Sequence, residues 1–151
     1  MCHRTKKAMN TDTVELLREC EAGSKMATNS MEQMMAYIGN EDLKKLLEGK
    51  NSEHIKLGEE CHHILCEVGV EDKEPDPMAS FWAKAQTGVK MTLNGDTHQA
   101  AKLLMDGCSM GIQSISEYMN KYTGADHRAL AIAEKLRNIE KDMLEELEAY
   151  V

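Results

Sequence analysis

The side chains best suited to chemistry gather in one short run, Glu59-Glu60-Cys61-His62-His63. It holds the Glu-x-x-His spacing twice, as Glu59/His62 and Glu60/His63. Residues three apart share a helical face, so each pair can offer a carboxylate and an imidazole to one ion. Hard carboxylate oxygens suit iron, whereas thiolate with imidazole suits zinc or copper. Glu53-His54, Cys20-Glu21 and Glu140 complete the set of candidate ligands. Nothing resembles a nucleophile with its base: each Ser sits singly on a helical stretch, without the tight turn that exposes a nucleophile. A glycine-rich phosphate loop is also missing. The expectation is a non-enzymatic protein, with metal binding as the competing reading.

These residues need long helices to position them. With 151 residues the chain suits one domain with a real core. It carries one Phe and one Trp but twelve Met, so Met, Leu and Ala must fill that core. Residues 1–10 read as a flexible tail and 11–151 as a single domain. Asp12-Thr13-Val14-Glu15 has the form of a capping box opening helix 1, which runs to about Ile38 and stops at Gly39-Asn40. Its inner stripe is Leu17, Glu21, Ser24, Thr28, Met31, Met35 and Ile38, with Cys20, Ala27 and Met34 beside it. Asn40 caps helix 2, striped by Leu43, Leu46, Leu47, Leu57, Cys61, Ile64, Leu65 and Val68, which ends near Gly69. Asp96 caps helix 3 and Asp126 caps helix 4.

Between Val70 and Gly95 the pattern predicts a linker holding Pro75 and Pro77, then a shorter helix from about Met78 to Leu93 with Phe81 and Trp82. The main helices are each about 40 Å long at 1.5 Å per residue. A short helix plus an extended stretch covers roughly that distance. The predicted fold is therefore all-α: a four-helix bundle with one long crossover between helices 2 and 3, the connectivity of ferritin-like proteins.

A net charge of −8 and the lack of a dense basic patch argue against nucleic acid. No apolar run approaches the roughly 18 residues of a membrane span, and no signal core follows the basic start. Five Cys, an odd number without framework spacing, read as reduced thiols, and the cytoplasm is the expected compartment.

The chain resembles a bacterial ferritin-like family classed as a domain of unknown function. The likeness is carried by Glu21-Ala22-Gly23, Asp42-Leu43-x-x-Leu46-Leu47, the Trp-bearing short helix, Asn94-Gly95-Asp96 and Asp106-Gly107, in that order. It implies the ferritin-like fold and lends no settled activity.

Ferritin-like di-iron proteins take a Glu from each of two helices and Glu-x-x-His from each of the other two. Glu21 fits on helix 1. Lys56 stands three residues after Glu53, Cys108 stands where the family often has Glu, and Met143 follows Glu140 where His belongs. A degenerate site drawn from Glu21, Glu53, His54, Glu60, His63 and Glu140 is the expectation. Folding helices 1 and 2 about Gly39-Asn40 would oppose residues whose numbers sum to about 79, bringing Cys20 and Glu21 toward Glu60, Cys61 and His63. The competing reading makes Cys20 and Cys61 ordinary core residues and puts His62 and His63 in solvent. Lys50 and Arg137 fall on core-facing stripes and could pair with Glu53 and Glu140 in a polar layer replacing the metal.

Three functions follow. The favoured one is a ferritin-like bundle acting through a protein partner or as a homo-oligomer. The second is a protein binding iron, zinc or copper through Glu21, Glu60 and His63, and the third is a di-iron oxidase.

Overall fold

The computed structural model describes residues 9–70 and 96–151. They form α1 (Thr11–Met35), α2 (Glu41–Glu67), α3 (Thr97–Lys121) and α4 (His127–Leu147), with a closing 3-10 turn at Glu148–Tyr150. The predicted short helix at Met78–Leu93 lies outside the described residues.

Each α-helix begins at an Asn or Asp whose side chain accepts from the backbone N–H three residues on. Asn10 serves Thr13, Asn40 serves Leu43, Asp96 serves Gln99 and Asp126 serves Ala129. Such caps each contribute about 1 kcal/mol. Asp12 is not the cap of α1, as the sequence pattern suggested. Its carboxylate accepts from Gly124 N at 2.8 Å, while Thr13 Oγ1 accepts from Asp126 N at 2.9 Å. At the other end of α2, Gly69 adopts φ 72°. Val70 N then donates to Leu65 O and Gly69 N to Cys66 O, closing the helix in a left-handed turn that only glycine enters at little cost.

These contacts set the directions of the helices. The start of α1 sits on the α3–α4 turn, because Asn10 Nδ2 also donates to Gly124 O at 2.9 Å. The start of α3 sits beside the end of the chain, where His98 Nδ1 donates to Tyr150 O at 3.1 Å. With α1 and α2 an antiparallel hairpin, α2 and α3 must run the same way. They lie on one diagonal of the bundle; α1 and α4 form the closer diagonal, and each packs against the other three helices. Neighbours around the perimeter are therefore antiparallel throughout.

The core divides lengthwise into two clusters. One joins Leu16, Leu17, Leu57, Ile64, Leu65 and Leu136 around Cys20 and Cys61. The other joins Met31, Met34, Leu43, Leu47, Leu104 and Leu147 around Cys108. Burying each Leu contributes roughly 1.5–3 kcal/mol. The boundary between the clusters is polar.

Candidate functional site

At that boundary His54, with none of its surface exposed, faces Glu140 across the bundle. Its Nε2 lies 2.5 Å from Glu140 Oε1 and its Nδ1 lies 2.7 Å from the Lys50 carbonyl. Both ring nitrogens thus face acceptors. Either the ring is an imidazolium against a carboxylate, or a neutral ring faces a protonated Glu140. In both cases the pair holds one proton between its members. Burial pulls the His54 pKa down, but the hydrogen bond and charge of Glu140, the Lys50 carbonyl and the charge of Glu53 outweigh it, so the net shift is upward.

Other helices complete this layer. Cys108 on α3 hydrogen-bonds Glu140; its thiol pKa is pushed up by burial first, then by the Glu140 charge and that bond. Gly111, one turn on, leaves room for the carboxylate: a Cβ there would stand 3.2 Å from Glu140 Oε2. Lys50, on the turn of α2 that accepts from His54, reaches Glu53 at 3.3 Å and Glu146 at 3.0 Å. Burial lowers its pKa, but the two carboxylates raise it by more. Arg137 does not join. It contacts Ser116 at 3.4 Å and Glu134 at 4.0 Å, away from Glu140.

A second carboxylate–imidazole pair sits between α1 and α2. Glu21 is 1% exposed, with Lys25 Nζ at 3.1 Å and His62 Nδ1 at 3.5 Å from the same oxygen. On its far side the His62 ring brings Nε2 to 3.4 Å from Cys66 Sγ. Glu21 does not meet Glu60 and His63, which was the expectation. Glu60 points to Lys135 at 3.7 Å, and the exposed His63 pairs with Glu67 at 3.3 Å. The reason is geometric: side chains lean toward their own helix N-terminus, so facing residues carry higher numbers on both arms than backbone opposition gives. Ser24 faces Gly58, Glu32 bonds Asn51 and Glu21 meets His62, sums of 82 to 83 rather than 79.

Cys20 and Cys61 do neighbour each other, as free, buried thiols. Burial pushes Cys20 up to about 12, and Cys61 is raised by burial and then by Cys20, Glu21 and Glu60. A thiol must lose its proton to bind metal or attack, so both are suited to packing. Cys66, by contrast, is disulfide-bonded, a departure from the expectation of reduced thiols. The sequence signal for the His62–Cys66 contact is their spacing of four, about one helical turn. Sequence reasoning missed Glu19, buried at the edge of an apolar furrow between α1 and α3.

The six predicted ligands therefore fall into separate groups: His54 with Glu140, Glu21 with His62, Glu53 with Lys50, and Glu60 and His63 apart at the surface. Among the described residues no three His, Cys, Asp or Glu side chains converge to hold an ion. No described helix is long and apolar enough to cross a membrane. Comparison with protein-family models, with curated proteins and with solved structures found no match, so the reading of this chain rests on its geometry.

Proposed function

We propose that this chain is a ferritin-like bundle that works by binding a protein partner or a second copy of itself, its ligand layer converted into a hydrogen-bonded layer. The shared direction of α2 and α3 supports the ferritin-like connectivity, with residues 71–95 as the single long crossover. The observation that carries the functional reading is the donor set at His54. A two-iron centre takes six protein ligands from four helices. Here α2 supplies His54, α4 supplies Glu140 followed by Met143, and α3 supplies Cys108, whose thiol is held protonated. On α1, Glu21 is turned away toward His62. The Glu140 carboxylate already engages His54, so a metal would have to break a buried charge-assisted bond. The residues present do not fit a two-iron centre.

The furrow between α1 and α3 supplies an apolar contact surface, lined by Ala22, Met26, Met31, Leu104 and Ile115. Protein purified without chelator should show an assembly of defined stoichiometry by light scattering. Elemental analysis should find well under one metal per chain, and adding Fe(II) should cause no oxygen uptake. Two metals per chain with oxygen uptake would overturn the proposal.

A further inference from the structure

We draw no further inference here: the strongest candidate, the apolar furrow between α1 and α3 with Leu136, Glu140 and Met143 of α4 along it, already serves the proposed function as its contact surface, and nothing in the structure shows what covers it.

Discussion

Two carboxylate–imidazole pairs of the same chemical kind occupy this bundle, and their surroundings give them different work. His54–Glu140 joins the adjacent antiparallel helices α2 and α4 inside the core at 2.5 Å, sealed from solvent. Glu21–His62 joins the hairpin α1–α2 at 3.5 Å, with one partner buried and the other half in water. A sealed pair must be satisfied internally, because an orphaned buried charge costs far more than the pair contributes. A half-open pair can exchange protons and partners with solution. The first is therefore a structural joint, and the second is a half-exposed pair at the bundle surface.

The contrast is sharpest under mutation. His54→Ala, which strands Glu140, should lower the unfolding free energy by about 3–5 kcal/mol. A His54→Leu, Glu140→Leu double variant should recover most of that loss, measured by urea denaturation. If the single variant loses under 1 kcal/mol, the joint is not structural.

Next in size is the effect of pH. The folded His54 pKa lies above its ordinary value near 6.5. Its stabilising contribution is then fully present below about pH 6.5 and is lost as pH rises through the raised folded value. The urea midpoint should fall across that window for the native chain and stay flatter in the double Leu variant.

Gly111→Ala carries opposing effects. Alanine favours a helix by about 1 kcal/mol over glycine, yet its Cβ would press on a carboxylate held by His54 and Cys108. The substitution should destabilise the native chain slightly and stabilise a chain already carrying Glu140→Ala. A double-mutant cycle reads this reversal of sign directly. Least of all, His62→Gln should alter stability by no more than about 0.5 kcal/mol, as expected of a half-exposed side chain. A large loss there would erase the distinction between the two pairs.

Much of the scaffold was legible because it depends on local chemistry. Asn40, Asp96 and Asp126 cap where their side chains reach the next turn, and Leu43, Leu47, Leu57, Ile64 and Leu65 lie inside as their spacing implies, while Leu46 and Val68 of the same stripe are only partly buried. Asp12 misled because its carboxylate serves a partner 112 residues away, which no local motif encodes. The site was legible as a set of residues and not as a set of pairs. His54, Glu140 and Lys50 do lie in a polar layer, but pairing depends on the lean of side chains and on the diagonal closeness of α1 and α4. Counting about a loop captures neither. Arg137 read as an inward charge, and its long stem instead carries the guanidinium to Ser116 and Glu134.

Asn10, Asp12 and Thr13 together fasten the first turn of α1 to the α3–α4 turn through three hydrogen bonds. Ends of helices ordinarily fray independently, but here loosening one releases donors or acceptors of the other two. Amides in the opening turns of α1 and α4 should consequently exchange with solvent as a single cooperative unit. The bundle is laced at one end and hemmed only lightly at the other.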